Sequence, residues 1–208
     1  MTAFPDRERF ESAYAGQPPW EIGRPQKALL DVADRISGSI LDVGCGTGEN
    51  ALYFAARGHQ VTGVDFLAEP ISRAKRKSAE RGVSVTFLVM DALELKQLPQ
   101  RFDSAIDSGL FHVFSDEDRL RYVEGLATIL KPGGRLFLIC FSDAEPPGKG
   151  PRRVKKRELL DSFASGWTIE SIEPSRYEVR PDLMDYDFSE GGPRAWFVVA
   201  RRGAVLGA

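Results

Sequence analysis

The stretch Leu41-Asp42-Val43-Gly44-Cys45-Gly46-Thr47-Gly48 joins an apolar run, Ser39 to Val43, to a helical pattern over Glu49 to Arg57. Glycine has no side chain to block a ligand, so such a loop lets backbone N–H groups and the positive end of the helix dipole face an anionic group. A second apolar run, Gln60 to Val64, completes a βαβ unit. The stretch therefore predicts a cofactor site at the first strand-to-helix turn of an α/β fold.

The glycine spacing alone leaves the class of cofactor open. Gly44, Gly46 and Gly48 follow GxGxG, whereas the register Gly46, Gly48 and Ala51 satisfies the GxGxxA of dinucleotide-binding folds. Asp65, at the end of the second strand, suits the ribose hydroxyls of either kind of cofactor.

A carboxylate after the third apolar run separates the two classes. Met90-Asp91-Ala92 follows Val83 to Val89, and a carboxylate next to a free backbone N–H matches the amino group and ring nitrogen of adenine. Dinucleotide-binding folds do not require this pair. A single aspartate at such a position, taken alone, is more often a turn former.

Strands and helices continue to alternate along the chain, which indicates a mostly parallel sheet covered on both faces. Ser115 and Asp116 are suited to cap one of the helices, and Lys131-Pro132-Gly133-Gly134 is typical of a helix stop followed by a turn. The predicted later elements are helices over Ala68 to Arg81 and Asp116 to Leu130, and strands over Phe102 to Ile106, Arg135 to Phe141, Trp167 to Ile172 and Ala195 to Ala200. The last two strands lack a clear connecting helix, so we expect them to be antiparallel.

The order of these motifs resembles that of class I S-adenosylmethionine-dependent methyltransferases. The motifs are Leu41 to Gly48, Val64-Asp65, Met90-Asp91-Ala92, Phe102-Asp103 and Leu130 to Gly134, within residues 39 to 141. The resemblance implies a Rossmann-like seven-stranded sheet whose last strand is antiparallel. It also implies S-adenosyl-L-methionine as cofactor and S-adenosyl-L-homocysteine as product. By the same resemblance Gly44, Cys45 and Gly46 approach the methionine moiety, Asp65 holds the ribose, Asp91 and Ala92 hold the adenine, and Phe66 packs on the adenine face.

The leader, residues 1 to 27, carries Pro18-Pro19-Trp20-Glu21-Ile22-Gly23-Arg24-Pro25-Gln26. This segment is similar to one in thiopurine and halide/thiol methyltransferases, and more so to one in bacterial enzymes that methylate hydroxylated quinolones. The resemblance implies a lid over the cofactor, in which Trp20 shields the sulfonium and faces an aromatic acceptor. Arg24 is a candidate for the cofactor carboxylate, and a surface pair with Glu21 is the competing interpretation.

The run Ile106 to Phe114 follows the fourth strand, where ligands bind in open α/β sheets. His112 is the candidate general base for a hydroxylated acceptor, because a neutral imidazole near pH 7 suits that task. Phe111 and Phe114 are expected to line the acceptor pocket, and Asp107 to orient the base or contact the methionine amino group. The alternatives are that His112 packs under the two phenylalanines and that Asp107 only forms a turn.

Four functions are compatible with these residues. The leading one is methyl transfer to a hydroxyl, ring nitrogen or thiol of a small aromatic heterocycle such as a hydroxyquinolone. The others are a halide/thiol or thiopurine methyltransferase that needs no base, a nicotinamide-dependent oxidoreductase, and a non-catalytic module that senses the cofactor. The last would use the basic residues between positions 149 and 157 to bind nucleic acid or a protein.

Composition agrees with a single domain of 208 residues. Within it, residues 39 to 141 are the expected cofactor core, and residues 142 to 208 carry the last strands and, over Glu173 to Arg194, a wall of the substrate pocket. The net charge of −2 makes nucleic acid an unfavoured partner. No apolar run is long enough to span a bilayer and the two cysteines suit reduced thiols, so a cytoplasmic, membrane-free protein is expected. No metal site is expected.

Overall fold

Residues 7–180 and 188–203 are described by a computed structural model, in which seven strands form one sheet in the order β3-β2-β1-β4-β5-β7-β6. The strands are β1 Ser39–Val43, β2 Gln60–Asp65, β3 Thr86–Val89, β4 Phe102–Ser108, β5 Leu130–Phe141, β6 Trp167–Arg176 and β7 Arg194–Arg202. The first five strands pair in parallel, and β7 is antiparallel to both of its neighbours. The expected Rossmann-like α/β sheet with an antiparallel last strand is confirmed.

The helices lie around this sheet. They are α1 Arg7–Tyr14, α2 Lys27–Leu30, α3 Glu49–Ala55, α4 Ala68–Arg81, α5 Asp116–Ile129 and α6 Lys156–Ser162, and short 3₁₀ turns cover Ala33–Arg35, Ala92–Gln97 and Phe111–Val113. In the described part of the chain, none of these helices is both long and apolar enough to cross a membrane.

The two faces of the sheet are covered separately, as the alternation of side chains along a strand requires. In β5, Leu136, Leu138 and Cys140 pack into a core that includes residues of α5 and α6, whereas Phe137 and Ile139 pack into a second core that includes residues of α3 and α4. Burial on both faces explains why the sequence of this strand reads as a continuous apolar run.

Several element boundaries differ from the sequence-based expectation, each for a local reason. The expected strand over Val83 to Val89 begins only at Thr86, because Gly82 and Val83 close α4 by donating backbone hydrogen bonds to Ala79 and Ser78. Strand β5 begins as early as Leu130, which pairs with Phe102. The four residues Lys131 to Gly134 then bulge out before pairing resumes at Arg135 with Ser104.

Asp42 is a buried carboxylate beneath the glycine loop. Its Oδ2 accepts a hydrogen bond from the backbone N–H of Ala51 (3.1 Å), and its Oδ1 accepts one from the Asn50 amide (3.4 Å). Burial raises the pKa of Asp42 to about 7, and the nearby carboxyls of Asp107 and Asp65 add to the rise against the opposing effect of the two hydrogen bonds. The loop is therefore held to the first turn of α3 by a group that resists ionisation.

Replacing Asp42 by asparagine is expected to flatten the dependence of stability on pH. The folded-state pKa of Asp42 lies above its unfolded value of 3.8, so the wild-type chain loses stability as the pH rises through the folded-state pKa. Between pH 5 and pH 8 the free energy of unfolding, measured in urea, should fall by about 2 kcal/mol less in the variant than in the wild type.

The matched control is Asp34→Asn, since Asp34 lies exposed in the 3₁₀ turn Ala33–Arg35. In this control the free energy of unfolding should depend on pH as steeply as in the wild type. An unchanged slope in Asp42→Asn would show that Asp42 ionises normally in the folded protein.

Candidate active site

One cavity of about 580 Å³ opens at the carboxyl ends of the parallel strands. Its lining includes the residues that directly follow β1 and β3, the last residues of β2 and β4, and Phe141 at the end of β5. This is the edge at which ligands bind in open α/β sheets. The remaining wall comes mainly from the turn after β4 (residues 109, 110 and 112–115), from the leader and from residues 150–152, 177, 179 and 188.

Asp65 connects the end of β2 to the glycine loop. Its Oδ2 accepts a hydrogen bond from the backbone N–H of Gly46 (3.0 Å), and its Oδ1 accepts one from Leu67 (3.0 Å). Burial raises the pKa of Asp65, although these backbone hydrogen bonds oppose the rise. The carboxylate lines the cavity at the position expected to hold a ribose.

Gly46 has a backbone φ of +52°, and a Cβ atom there would lie 2.7 Å from the hydroxyl oxygen of Tyr14. Both the backbone conformation and the space therefore require glycine. The consequence is a bare strip of backbone between Asp65 and the leader, which is suited to a ligand that runs along the loop.

Asp91 and Ala92 begin the 3₁₀ turn that follows β3. The Oδ1 of Asp91 accepts a hydrogen bond from Leu93 (2.8 Å), and Ala92 opens the turn, where backbone N–H groups have no partner within the turn itself. Burial raises the pKa of Asp91. Together with Phe66 they line the cavity, so this end offers a carboxylate, an N–H and an aromatic face, a donor set that fits an adenosine group.

The leader forms a second wall of aromatic residues. The indole Nε1 of Trp20 donates a hydrogen bond to the Tyr14 hydroxyl (3.2 Å), and Phe10 packs against both Trp20 and Phe66, with ring centroids 5.7 and 5.8 Å apart. Sequence reasoning missed Phe10 and Tyr14. Their spacing of four residues on α1 was the available signal, since it places both rings on one helix face.

Two polar contacts fix the leader to the rest of the molecule. Glu21 accepts hydrogen bonds from the Thr47 hydroxyl (2.6 Å) and from Lys77 Nζ (3.2 Å), which ties the leader to the glycine loop and to α4. Arg24 forms a bidentate pair with Glu178, at 2.6 and 3.0 Å. The protein partner of Arg24 is therefore Glu178 and not the expected Glu21, and the Arg24 side chain borders the cavity.

The other end of the cavity is an aromatic cluster formed by His112, Phe141, Tyr177 and Phe188. Phe141 lies at its centre, with its ring centroid 5.0 to 5.5 Å from each of the other three. Tyr177 donates a hydrogen bond to the carbonyl of Ser108 (3.1 Å) and crosses directly over Gly109. The expectation of a pocket wall within Glu173 to Arg194 agrees with Tyr177 and Phe188, whereas its residues 181–187, including Tyr186, lie outside the described residues.

The ring nitrogens of His112 have distinct roles. Its Nδ1 accepts a hydrogen bond from the backbone N–H of Phe141 (3.0 Å), so the proton of the neutral ring lies on Nε2. Burial, together with the charges of Arg119 and Arg153, lowers the pKa of His112 to about 3. His112 therefore lines the cavity as a neutral ring with its proton on Nε2, an arrangement that favours a hydrogen-bond donor over the general base expected from the sequence.

Asp107 and Phe111 do not line the cavity. Asp107 is fully buried and accepts hydrogen bonds from the Leu110 N–H (2.8 Å) and the Tyr122 hydroxyl (2.9 Å), which agrees with the turn interpretation and leaves His112 outside its partners. Phe111 is fully buried, with its ring 6.0 Å from that of Phe163. Phe111 and His112 are adjacent in the 3₁₀ turn and point in different directions, so His112 reaches the cavity and Phe111 enters the core. Phe114 follows the turn with extended backbone and lines the cavity.

The basic run between positions 149 and 157 is largely paired within the chain. Arg152 contacts Asp116 and Glu158, Arg157 contacts Asp161, and Arg153 donates hydrogen bonds to the carbonyl groups of three residues: Pro146, Lys149 and Pro151. A solvated, internally paired loop is the better description. Among the described residues, no group of three or more histidine, cysteine or acidic side chains could hold a metal.

Comparison with known proteins identifies the cofactor-binding half of this cavity. Residues 40–134 match the family model described as a methyltransferase domain. The 2-heptyl-1-hydroxyquinolin-4(1H)-one methyltransferase of Mycobacteroides abscessus is 36% identical over 199 residues, covering 89% of this chain and 86% of its own length. A probable thiol methyltransferase of Arabidopsis thaliana is 28% identical over 69% of this chain and 66% of its own.

A solved structure agrees with this grouping. The protein studied for the conversion of a disulfide bond into a thioacetal group during echinomycin biosynthesis is 35% identical, with a TM-score of 0.83 over 94% of this chain and 92% of its own. The matched fold, the glycine loop and the carboxylates that end β2 and follow β3 together identify the cofactor as S-adenosylmethionine. The chain belongs to the S-adenosylmethionine-dependent methyltransferases.

Proposed function

We propose that this protein transfers a methyl group from S-adenosylmethionine to a hydroxyl of a small aromatic heterocyclic molecule of the hydroxyquinolone type. The observation that carries the proposal is a single cavity with two chemically different ends. Carboxylates and bare glycine backbone line one end, and the cluster of His112, Phe141, Tyr177 and Phe188 lines the other.

The residues at the first end suit the cofactor group by group. Asp65 is placed for the ribose hydroxyls, Asp91 and the N–H of Ala92 for the adenine edge, and Phe66 for the adenine face. Gly44, Cys45 and Gly46 leave room for the methionine part beside the loop. The cofactor supplies a methyl group activated by its sulfonium, and the protein positions that methyl towards the aromatic end.

The aromatic end suits a flat acceptor. Rings that meet at angles of 58 to 78° around Phe141 form a slot with apolar faces, and Trp20 and Phe114 extend it towards the leader and the turn after β4. Holding the acceptor and the methyl group in line can lower the activation barrier by about 7 to 11 kcal/mol, because translational and rotational freedom is already lost when the two molecules bind. Positioning therefore accounts for most of the expected catalysis.

The relatives support the same acceptor class. The Mycobacteroides abscessus enzyme is named for a hydroxylated quinolone and is similar to this chain over almost its whole length. We infer one domain in which residues 39 to 141 bind the cofactor, while the leader and residues 142 to 208 select the acceptor. In this view the leader is the lid, held by Glu21 and Arg24.

A thiol acceptor is the second candidate, favoured by one observation. A thiolate needs no base, and His112 carries its proton on the nitrogen that remains after Nδ1 is bound. The similarity to a probable thiol methyltransferase points the same way. A nucleic-acid-binding module is less favoured, because the basic run is paired with acidic side chains and carbonyl groups of the same chain.

Asp65→Asn is expected to weaken S-adenosylhomocysteine binding by roughly tenfold or more, which corresponds to about 1.4 kcal/mol. Asparagine keeps one acceptor for the Gly46 N–H and loses the charge that strengthens hydrogen bonds to the ribose. Isothermal titration calorimetry measures the change, with exposed Asp34→Asn as the matched control. Equal affinity of the variant and the wild type would remove Asp65 from the cofactor site.

A labelled-methyl transfer screen should find higher activity with hydroxylated quinolones and related heterocycles than with thiols and halides. Transfer to thiols alone would replace the leading proposal by the second candidate.

Phe188→Ala is expected to raise the KM for the acceptor several-fold without changing the affinity for S-adenosylhomocysteine, since Phe188 packs on Phe141 away from the glycine loop. The control is Leu160→Ala, which removes an exposed side chain of α6.

A further inference from the structure

We propose that the acceptor enters this site as a preformed oxyanion, and that the Nε2–H of His112 donates a hydrogen bond to it. The inference rests on the proposed function and specifies its substrate class. The acceptor is an aromatic heterocycle whose hydroxyl is more acidic than an ordinary phenol, whose pKa is about 10. The argument depends on what the aromatic end of the cavity offers a hydroxyl group.

The first step is the fixed tautomer of His112. The hydrogen bond from the Phe141 N–H to Nδ1 of His112 is buried, and its donor, Phe141, is the last residue of β5. To act as a base at Nε2, the neutral ring would first have to carry its own proton on Nδ1, directly facing the Phe141 N–H, and it would become a buried cation on accepting the second proton. That arrangement would leave two buried donors opposed, so Nε2 serves as a donor.

The second step is the charge around His112. Arg119 from α5 and Arg153 from the loop after β5 face it as cations and lower its pKa, and Arg152 lines the same cavity. The nearby acids are occupied: Asp107 accepts hydrogen bonds from Leu110, Phe111 and Tyr122, and Glu158 pairs with Arg119 and Arg152. The charges of Arg119 and Arg152 are shared with Glu158, whereas Arg153 donates to neutral carbonyl groups and lies 5.6 Å from the centroid of the Phe141 ring. Because carbonyl groups leave the charge of Arg153 in place, a neutral donor beside it favours an anion over a proton acceptor.

The third step concerns the other titratable groups that line the cavity. Tyr177 donates its hydroxyl proton to the Ser108 carbonyl, and burial raises its pKa to about 12. Burial also raises the pKa of Tyr14, which lies against the glycine loop. Among the described residues, four carboxylates line the cavity. Asp65 and Asp91 lie at the cofactor end, and Glu21 and Glu49 are both bound by Lys77 beside the glycine loop. Within residues 7–180 and 188–203, the aromatic end therefore presents no group suited to remove a proton at neutral pH.

The chemistry balances without an enzyme base. The acceptor hydroxyl loses its proton to solvent before it binds, and an oxygen lone pair forms the new O–C bond as the S–C bond breaks. The negative charge of the oxygen and the positive charge of the sulfonium are both neutralised, and no proton remains to be moved. His112 stabilises the bound oxyanion and orients it, and the surrounding aromatic rings exclude water.

The first test uses 1-hydroxyquinolin-4(1H)-ones with ring fluorine or methyl substituents, which differ in the pKa of the hydroxyl. Below neutrality, kcat/KM should fall with a midpoint that follows the measured pKa of each free acceptor. A midpoint that stays at one pH across the series would reveal an enzyme base and overturn the inference. Methyl transfer with such a fixed midpoint would still support the proposed function.

The second test is independent of turnover. Each acceptor is titrated by its absorption spectrum while bound to the protein saturated with S-adenosylhomocysteine. Binding should lower the hydroxyl pKa by one unit or more, and an unchanged or raised pKa would overturn the inference. Failure of all acceptors to bind would overturn the inference together with the proposed acceptor class, while calorimetry on S-adenosylhomocysteine still reports an intact cofactor site.

Variants of His112 separate a donor from a base. His112→Gln keeps an N–H donor and should retain more activity than His112→Ala, which should lose at least tenfold in kcat/KM. In both variants the midpoint of the pH profile should remain at the acceptor pKa. Loss of the acidic limb in either variant would assign the base role to His112, and S-adenosylhomocysteine affinity checks that each variant is folded.

Discussion

The carboxylate of Asp65 accepts hydrogen bonds from the backbone of Gly46 and of Leu67, and this small network fixes the cofactor end of the cavity. It fastens the glycine loop that follows β1 to the end of the neighbouring strand β2. Parallel pairing of these strands sets the distance between the two, so the loop cannot shift without disturbing the sheet. Asp42 holds the same loop from below, through the first turn of α3.

The acceptor end is assembled from segments far apart in the chain. Gln26 exchanges two hydrogen bonds with the backbone of Glu178 (2.6 and 2.9 Å), and Arg24 pairs with the carboxylate of the same residue. The backbone of Arg180 also donates to the carbonyl of Pro19. The leader and the segment after β6 are therefore joined directly by hydrogen bonds, and they form one unit in the proposed selection of the acceptor.

His112 shows how a tertiary contact changes the chemistry that a residue type suggests. An exposed histidine titrates near neutral pH and suits proton transfer. Here burial and two arginines keep the ring neutral, and one backbone N–H decides which nitrogen holds the proton. This arrangement is the basis of the proposed binding of the acceptor as an oxyanion.

The sequence by itself determined the sheet, its antiparallel last strand, and the cofactor end around Gly46, Asp65 and Asp91. Each of these residues ends a strand or follows one within three positions, so strand order and local motifs place them without knowledge of distant contacts. The tertiary structure alone decided that Arg24 pairs with Glu178, that Phe111 enters the core, and that a backbone N–H occupies Nδ1 of His112. These outcomes depend on side-chain direction in a 3₁₀ turn and on partners 29 to 154 residues away, which no local pattern encodes.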